Sequence, residues 1–448
     1  MTSSHSERTA ELDQVLDSAV PHPDATEPAA SGRRKRRFDI APLRHRQYRL
    51  LFIGQTISIF GDAFYAIALP WLVYQQGGGA AQLGTVVAIY GVCRLGTTPI
   101  GGILADRIGA WRVMMCSDLA RLVLGIALAV VAGSGRGGIV AVSVLGAFIG
   151  LFAGLFTPAS LAITPVLLPA EELHAGNALS SAAIDGASLI GPAIAGLAVA
   201  TLNIGVAFAI DAVTFAVSAG CLAAIGAAIR SRAPVSKPEG DIESIGFWQL
   251  VRSSALLRAI LLVTTVANLT VGGMIRIGLP ALAKTDLDAG STGYGGLLSS
   301  FSAGCLCGGL VIAVLSSLRR PGVAAMLSGL GMGVSVILLP YAGLAGALVA
   351  LFVAGATSTV TNVLVFTLLQ RNTPSHLLGK VMSAVTFCGL GLFPVSVALV
   401  GAFVSHYGAV DVFVLTGVLL ILAFLTGLTR PALRQQVAGP RPMSSSAG

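Results

Sequence analysis

The chain has 448 residues, of which 54% are hydrophobic and only 11% charged, with a net charge of +8. Its mean hydropathy is +0.84. Because so little polar surface cannot cover a water-soluble protein of this size, the composition excludes a soluble globular enzyme or binding domain. Apolar stretches of about 20 residues recur along almost the whole length, and an α-helix of that length crosses a bilayer. The composition therefore predicts an all-α membrane protein.

The first 46 residues form a polar tail that is rich in Ser, Pro, Glu and Asp. We expect this tail to be disordered and cytoplasmic, because it cannot bury enough apolar surface to fold. It contains the basic run 33–37, which is typical of a segment beside a membrane rather than of a nucleic-acid site. The tail lacks the pattern of a cleavable signal, so the first membrane helix is expected to direct insertion.

Apolar segments separated by glycine, proline and charged residues occupy most of the remaining chain. Each segment is long enough for one membrane helix, and the breakers between them indicate tight turns. We therefore predict twelve membrane helices. Their predicted bounds are 48–75, 81–104, 112–133, 138–158, 177–200, 204–228, 258–283, 293–317, 322–342, 345–369, 378–403 and 409–429.

A polar connection with Pro234 and Pro238 divides these helices into two groups of six. An apolar stripe at 245–251 within it predicts a short helix on the membrane surface. The predicted organisation is a cytoplasmic tail at 1–46, an N-terminal bundle at 47–229, a linker at 230–255, a C-terminal bundle at 256–430 and a tail at 431–448.

The distribution of basic residues predicts the orientation. If both tails face the cytoplasm, the inner segments carry 23 Lys and Arg residues, whereas the outer loops carry only Arg136 and Lys284. Basic residues near the ends of membrane segments stay in the cytoplasm, so this layout satisfies the positive-inside rule. An odd number of crossings would place the last tail outside and reverse the later loops. The expected location is therefore a bacterial inner membrane with both termini in the cytoplasm.

The two groups of helices also resemble each other. Leu-Pro occurs at 69–70 in the first helix and at 279–280 in the seventh. Gly84 then falls opposite Gly295, and Pro192 in helix five matches Pro394 in helix eleven. Such internal repeats are typical of transporters whose halves rock around a central site.

A glycine-rich charged turn lies between predicted helices two and three, at 102–112. Its glycines allow a tight turn, and Asp106 can face a helix N-terminus of the other half and hold one conformation. The turn resembles the signature loop of the major facilitator superfamily, although Ala110 and Trp111 stand where a basic residue is usual. An ordinary charged turn is the alternative. The predicted gate residues are Gly102, Asp106, Arg107, Gly109 and Arg112.

Five further segments carry a second resemblance, at 42–49, 61–62, 68–74, 156–159 and 173–179. They are similar to the enterobactin-exporter and macrolide-efflux branch of that superfamily, and the similarity spans most of residues 40–430. It implies two pseudo-symmetric six-helix bundles that expose a central site alternately to the two sides of the membrane. It also implies export of a small amphipathic molecule.

Helix five carries Gly191, Pro192 and Gly196. These residues match part of a pattern that is associated with antiporters, but Ala187 and Ala195 stand where glycines are usual. Helix four has no arginine, whereas many drug/proton antiporters of the superfamily that this chain resembles carry a basic residue there. Proton coupling through that residue is therefore not expected.

Ionisable residues inside the predicted helices suggest a coupling site. Burying such a group near the bilayer centre costs about 2.5–3.5 kcal/mol even on insertion scales, so each needs a partner or a function. We predict one connected network in the N-terminal half, in which Asp118 and Arg121 share a helix face. A purely structural ion pair is the alternative for those two residues. The network residues are Asp62, Arg94, Asp118, Arg121 and Asp185.

Three aspartates against two arginines leave one surplus carboxylate, which is suited to taking up and releasing protons. Asp62 is the first candidate because it lies nearest the bilayer midplane, where coupling sites of repeat transporters are found. Asp211 and Arg276 fall in the outer parts of helices six and seven. They are expected to pair across the two halves or to line an outer vestibule.

The predicted substrate contacts are aromatic or amide side chains, because amphipathic ligands bind mostly apolar concave sites. Packing or lipid contact is the alternative for each of them. Trp71 and Tyr74 fit an interfacial belt better. The candidates are Tyr65, Tyr90, Asn268 and Asn362.

The leading functional hypothesis is proton-coupled efflux of a drug, antibiotic or secondary metabolite. Siderophore export and proton-coupled import of a nutrient are alternatives. An enzyme is disfavoured because the sequence has neither a nucleotide-binding Gly-Lys-Ser/Thr loop nor a His-Glu metal motif. The six cysteines lie in apolar segments, so neither disulfides nor a metal site is expected. We expect a monomer without a cofactor whose partners are its substrate, protons and lipid.

Overall fold

The computed structural model describes residues 40–135, 137–229, 255–314, 320–373, 381, 385 and 391–429. Within these residues the chain forms helices and no strand. Helix α7 has three consecutive segments, Ala255–Gly273, a π-helical turn at Met274–Gly278 and Leu279–Thr285. The other long helices are α1 (Arg46–Gln75), α2 (Ala80–Leu104), α3 (Ala110–Ser134), α4 (Gly138–Leu167), α5 (Leu173–Thr201), α6 (Ile204–Ile229), α8 (Gly290–Val314), α9 (Pro321–Leu338), α10 (Gly343–Asn372), α11 (Phe393–Tyr407) and α12 (Ala409–Thr429).

The prediction of an all-α chain with twelve apolar helices is confirmed for the described part of the chain. Ten helical runs there are long and apolar enough to cross a membrane. One of them, Ala80–Ser134, is 55 residues long and contains both α2 and α3. The chain leaves the helical conformation inside this run, because Gly109 has a φ of 95° and a ψ of 135°, a conformation that favours glycine. Helix α11 is shorter, with 15 residues.

The predicted bounds agree with the structure to within about four residues except in α4 and α11. Helix eleven is predicted at 378–403, whereas Gly391 and Leu392 form a turn and α11 spans Phe393–Tyr407. The fourth helix is predicted to end at Pro158, but α4 continues to Leu167. Two hydroxyl groups that flank the proline donate to carbonyls on its N-terminal side: Thr157 donates to the Ala153 carbonyl at 2.9 Å and Ser160 to the Thr157 carbonyl at 2.8 Å. Proline is tolerated inside membrane helices where such side chains satisfy the backbone.

The helices pack as two groups. In the N-terminal half, α1–α6, helix α2 packs on α4, and α6 packs on both α1 and α3. In the C-terminal half, α7–α12, helix α10 packs on α8 and α9, and α12 packs on α7 and α9. The main contacts between the halves are α5 with α8 and α2 with α11. Helices two and eight, and helices five and eleven, are the pairs that the internal repeat relates.

Glycines bring the helices of both inter-half contacts close together. We call the end that carries the α1–α2 link, residues 76–79, the far end, and the end where α1 begins the near end. Gly84 of α2 lies against Val397 and Gly401 of α11, and Gly196 of α5 lies against Gly295 of α8. All of these residues lie toward the far end. Small residues allow close backbone approach where lipid provides no hydrophobic driving force.

The halves are in contact at the far end and diverge toward the near end. Helix α5 shows this, because six of its residues between Gly191 and Val199 are buried. In the stretch 177–186 only Leu179 is buried. At the far end Trp71 of α1 stacks on Tyr294 of α8 with 5.7 Å between ring centres. The described part of the molecule is therefore closed at the far end and open at the near end.

Several sequence-based predictions fall outside the described residues. They concern the basic run 33–37, the surface stripe 245–251, Arg136, and the C-terminal tail at 431–448. Most of the predicted first half of helix eleven, from residue 378, also lies outside them.

Candidate functional site

An ion pair is buried inside the N-terminal half. Arg121 donates a hydrogen bond from Nη2 to Oδ1 of Asp118, one turn earlier on α3. Ser218 of α6 donates to the other carboxylate oxygen at 2.7 Å. Asp118 is 0% exposed and Arg121 is 4% exposed. Since both charges lie in the interior, the geometry favours the structural interpretation of this pair, in which it joins α3 to α6.

Two aromatic rings enclose the Arg121 guanidinium. Its central carbon lies 4.4 Å from the ring centre of Phe156 in α4 and 4.3 Å from that of Phe215 in α6. A cation over an aromatic face contributes about 2 kcal/mol when it is desolvated. The arginine therefore holds three helices of the N-terminal half together.

Asp62 lies in the middle of α1 and faces open space. It is exposed, although Gly61 and Phe64 beside it are buried. No basic side chain of the described residues comes within 4.0 Å of its carboxylate. The charges that act on it are, in decreasing order, Arg121, Arg94, Asp118 and Arg276. Because Arg276 belongs to α7, the Asp62 carboxylate faces the space between the two halves.

A second carboxylate lies behind Asp62. Asp211 of α6 is 2% exposed, and its Oδ1 is 2.9 Å from the place of a Cβ on Gly61. That oxygen has no hydrogen-bond partner among the described residues. Asp62 and Arg121 are the charges that act on Asp211. The prediction that Asp211 pairs with Arg276 or lines an outer vestibule is therefore wrong, because α6 turns this side chain into the bundle toward α1.

Two tyrosines lie beside these charges. The rings of Tyr65 and Tyr90 are 6.0 Å apart, and Tyr65 also lies 6.0 Å from Phe208 of α6. Arg94, which is exposed, donates from Nη1 to the Tyr90 hydroxyl at 3.5 Å. The Tyr65 hydroxyl is buried and has no partner in the described part of the chain. Aromatic surface and unpaired charge therefore occur side by side, as in a site for an amphipathic ligand.

The C-terminal half contributes Arg276 to the same space. This residue is exposed on the π-helical turn of α7. It acts electrostatically on Asp62 and Tyr65 of the N-terminal half and on Tyr294 of α8. It has no ion-pair partner among the described residues. Opposite charges from the two halves thus face a common space without touching.

Three of the predicted site residues lie apart from this group. Asp185 is exposed on α5 and acts electrostatically on Cys305 of α8. Asn268 donates from Nδ2 to the Thr264 carbonyl of its own helix at 2.9 Å. Asn362 is exposed on α10. Among the described residues, Asp118 and Arg121 are the two predicted network residues in direct contact. Asp62 interacts electrostatically with Arg94, Asp118 and Arg121, and Asp185 is not among the groups that act on it.

The predicted gate lies at the near end, where α2 meets α3. Gly102 has space around it, whereas Gly109 has the positive φ that the turn needs. Asp106 and Arg107 are both exposed on the π-helical turn that links the helices. Arg112 donates from Nη1 to the Ile108 carbonyl at 3.3 Å. The positive φ therefore explains the glycine at 109, whereas no contact requires one at 102, and the side chains of Asp106 and Arg107 lie at the surface.

Trp111 replaces the basic residue that is usual in such turns. Its Nε1 donates to the Leu222 carbonyl of α6 at 2.7 Å. The ring lies against Gly226, where a Cβ would be only 2.6 Å from it. This tryptophan therefore fixes the start of α3 on α6 at the near end.

The helix-five residues lie at two packing contacts. Gly191 faces Ala63 of α1, whose Cβ would be 2.8 Å from a Cβ on the glycine. Gly196 faces the Ser291 carbonyl of α8, and Ser291 donates from Oγ to the Gly196 carbonyl at 3.1 Å. Pro192 is buried between these two glycines. The motif thus joins the halves at the far end.

A cavity of about 720 Å³ opens at the far end, above the closed contact. It is lined by Trp71 and Gln75 of α1, Asn203 before α6, and residues 288–292 around the start of α8. The central charges do not line it. It is therefore distinct from the space that Asp62 faces.

Ser396 of α11, which contacts α7 just before its π-helical turn, is not among the residues predicted from the sequence. It is 0% exposed, accepts the Gly273 N–H at 2.7 Å and donates to the Leu269 carbonyl at 2.6 Å. A single serine in an apolar helix does not indicate a contact site when only the sequence is known. Its role follows from the packing of α11 on α7 in the structure.

A family model provides the first comparison with known proteins. The model of the Major Facilitator Superfamily matches residues 51–394. Curated relatives include the enterobactin exporter EntS of Shigella boydii serotype 18, which is 28% identical over 401 residues. The match covers 85% of this chain and 92% of that protein. Enterobactin exporter EntS of Escherichia coli O1:K1 is similar to the same extent.

Solved structures with a similar fold include a peptide transporter POT in complex with sulfate. It has a TM-score of 0.70 and 16% identity, and the match covers 88% of this chain and 96% of that chain. A bacterial homologue of the iron transporter ferroportin in an inward-facing state has a TM-score of 0.66 and 17% identity, with 86% and 99% coverage. At these identities the similarity concerns the fold.

Proposed function

Because the chain belongs to the Major Facilitator Superfamily, a family of transporters rather than of enzymes, we propose that it exports a small amphipathic molecule in exchange for protons. The observation that supports this proposal most directly is Asp62. It is an ionisable residue in the middle of a membrane helix, exposed to the space between the halves and without an ion-pair partner among the described residues. A charge in that position costs free energy, and membrane proteins usually keep such a residue because it has a function.

The proposed orientation places both tails in the cytoplasm of a bacterium, with the protein in its inner membrane. The near end then faces the cytoplasm, and the closed far end faces outward. In this state the central site is open to cytoplasmic substrate. Export requires the far end to open and the near end to close, through rocking of one half on the other. The protein acts as a monomer in this proposal.

Proton exchange at Asp62 supplies the coupling in this proposal. When Asp62 is ionised, it attracts Arg94 on its own half and Arg276 on the other half. When a proton binds, that attraction across the halves is lost. A substrate that occupies the carboxylate competes with the proton, which is the requirement for exchange in opposite directions. Asp118 and Arg121 keep the supporting helices in place.

The proposed substrate site lies around Tyr65 and Tyr90. Their rings provide an apolar surface next to Asp62 and Arg94, and the buried Tyr65 hydroxyl has no partner among the described residues. Asn268 and Asn362 remain candidates on the C-terminal side. The turn with Asp106 and Arg107 is proposed to hold the near end in one of the two states.

Accumulation of a fluorescent amphipathic dye in cells tests the proposal. Cells that express the wild-type protein should accumulate less dye than empty cells, and a protonophore should abolish the difference. Asp62→Asn should also abolish it. Asp411→Asn is the matched control, because Asp411 is an exposed carboxylate in the first turn of α12. Retained protonophore-sensitive efflux in Asp62→Asn would contradict the role of Asp62, and higher accumulation than in empty cells would indicate import.

Siderophore export is the second candidate, because the curated relatives that match along 85% of the chain are enterobactin exporters. The test is enterobactin in the medium of cells that make this siderophore but lack their own exporter. Expression should restore secretion if the substrate is shared. Unchanged secretion would exclude enterobactin.

A further inference from the structure

Arg276 is an isolated charge in the C-terminal half. It lies within a membrane-spanning helical run, Ile260–Thr285, and its side chain is exposed on a π-helical turn that contacts α2 of the N-terminal half. Among the described residues it has neither a hydrogen bond nor an ion pair. An unpaired ionisable group at such a position marks a functional site.

The backbone around Arg276 departs from the α-helix in a way that the structure explains. Leu269 and Gly273 are the two ends of one regular i to i+4 backbone hydrogen bond. The Ser396 hydroxyl of α11 satisfies both groups, since it accepts from the Gly273 N–H and donates to the Leu269 carbonyl. A side chain inserted in this manner distorts a helix locally. The π-helical turn Met274–Gly278 follows directly.

Gly273 makes this contact possible. A Cβ at this position would lie 2.6 Å from the Ser396 carbonyl oxygen and 2.6 Å from a methyl group of Val400. Short π-helical turns occur frequently at functional sites because they change the direction of the side chains that follow. The turn therefore sets the direction in which Arg276 points.

We propose that Arg276 binds an acidic group of the substrate while Asp62 binds a basic group of the same molecule. The transported class is thus an amphoteric aromatic compound, with its ring on Tyr65 and Tyr90. This inference rests on the proposed exchange at Asp62, where the basic group of the substrate replaces the proton. Ser396 acts as a positioning residue, since it reaches the substrate only through the backbone that carries Arg276.

The geometry supports a molecule with both charges rather than one. Asp62 and Arg276 come from opposite halves and face the same space, yet they do not form an ion pair. A purely cationic ligand would leave Arg276 unpaired, and a purely anionic ligand would leave Asp62 unpaired. A ligand with both groups bridges the halves and satisfies both residues.

Three dansyl compounds with the same ring and a similar chain test this inference by fluorescence titration of purified full-length protein in lipid nanodiscs. Nε-dansyl-lysine carries both an amine and a carboxylate. Dansylcadaverine lacks the carboxylate, and dansyl-aminohexanoate lacks the amine. Wild-type protein should bind dansyl-lysine at least about tenfold more tightly than either of the other two.

Variants assign each charge to its residue. Arg276→Gln should bring the dansyl-lysine and dansylcadaverine affinities within about twofold of each other, and Arg276→Lys should keep part of the preference. Ser396→Ala should reduce the same preference while leaving dansylcadaverine affinity unchanged, which loss of folding would not do. Ser405→Ala is its control, because Ser405 of α11 donates only to carbonyls of its own helix.

Three results would overturn the inference: no saturable binding of dansyl-lysine, dansylcadaverine binding at least as tight, or an unchanged preference in Arg276→Gln. Failure of the proposed function would be visible separately. In that case protonophore-sensitive dye efflux would be absent. The titration measures binding alone, so its result for the ligand with both charges does not depend on efflux.

Discussion

Gly84 of α2 and Gly295 of α8 hold equivalent positions in the two contacts between the halves. A Cβ on Gly84 would lie 2.7 Å from the Val397 carbonyl oxygen of α11, and a Cβ on Gly295 would lie closer still to the Pro192 carbonyl oxygen of α5. The same residue type thus allows the same backbone approach on each side of the pseudo-symmetric molecule. Both contacts hold the far end closed.

Gly295→Ala should therefore weaken the closed far end. The added methyl group cannot fit against a backbone carbonyl, and overpacking of this kind costs about 1–3 kcal/mol. A cysteine placed at the buried Ser291, in a background without other cysteines, reports the change. A membrane-impermeant maleimide added from the far side should label it roughly tenfold faster in Gly295→Ala.

Gly296→Ala is the control for this experiment. A Cβ at Gly296 would make only an ordinary contact, 3.7 Å from a methyl group of Leu348. Its labelling rate should equal that of the parent protein. Equal rates in Gly295→Ala and Gly296→Ala would show that the glycine contact does not hold the far end closed.

The buried pair of Asp118 and Arg121 predicts a specific pattern of stability. Removing one partner leaves a buried charge without compensation, which costs about 3–5 kcal/mol. Asp118→Leu and Arg121→Met should each lower the temperature of thermal unfolding in detergent. The double variant should be more stable than either single variant, because neither member of the pair is left without the other. Additive losses in the double variant would show that the two side chains contribute independently.

The sequence predicted the repeated architecture better than the rotation of individual helices. The apolar pattern gave all twelve helices, and the i to i+3 spacing of Asp118 and Arg121 predicted their proximity. Depth along a helix does not show which way a side chain points. For this reason the sequence predicts Asp185 in the same network as Asp62, although the structure shows it acting on Cys305 of α8. It likewise predicts Asp211 at the surface between the halves, although its side chain is buried beside Gly61.

The end of α4 and the turn in α7 depend on other parts of the chain. Pro158 predicts a helix end when the sequence is considered alone. The hydroxyl contacts of Thr157 and Ser160 beside it support continuation of the helix. The direction of Arg276 depends on Ser396, which is 120 residues away in sequence. Sequence reasoning could identify the charge but not the contact that orients it.

Trp111 predicts a further effect at the near end. Trp111→Ala removes a ring that packs on Gly226 and a hydrogen bond to Leu222, so it should cost about 3–5 kcal/mol of stability. Trp111→Phe keeps an aromatic ring and should cost less. Trp111→Arg introduces the residue type that is usual at this turn in the superfamily, yet it should remain less stable than the wild type because arginine lacks the ring that packs on Gly226. Thermal unfolding of the three variants measures this order, and a stable Trp111→Arg protein would contradict it.

Tyr65 allows the proposed substrate role to be separated from packing. Its hydroxyl is buried without a partner among the described residues, so Tyr65→Phe should leave the unfolding temperature unchanged or raise it slightly. If the hydroxyl binds substrate, the same variant should lose about tenfold in substrate affinity, because a hydrogen bond is lost in the bound state only. Tyr74→Phe is the matched control, since the Tyr74 hydroxyl is also buried without a partner in the described part of the chain but lies at the far end beside Lys284.

Titration with dansyl-lysine compares the two variants. Equal affinities in wild type and Tyr65→Phe would assign Tyr65 to packing against Tyr90 and Phe208 alone, whereas a loss that is confined to Tyr65→Phe would place its hydroxyl in the substrate site.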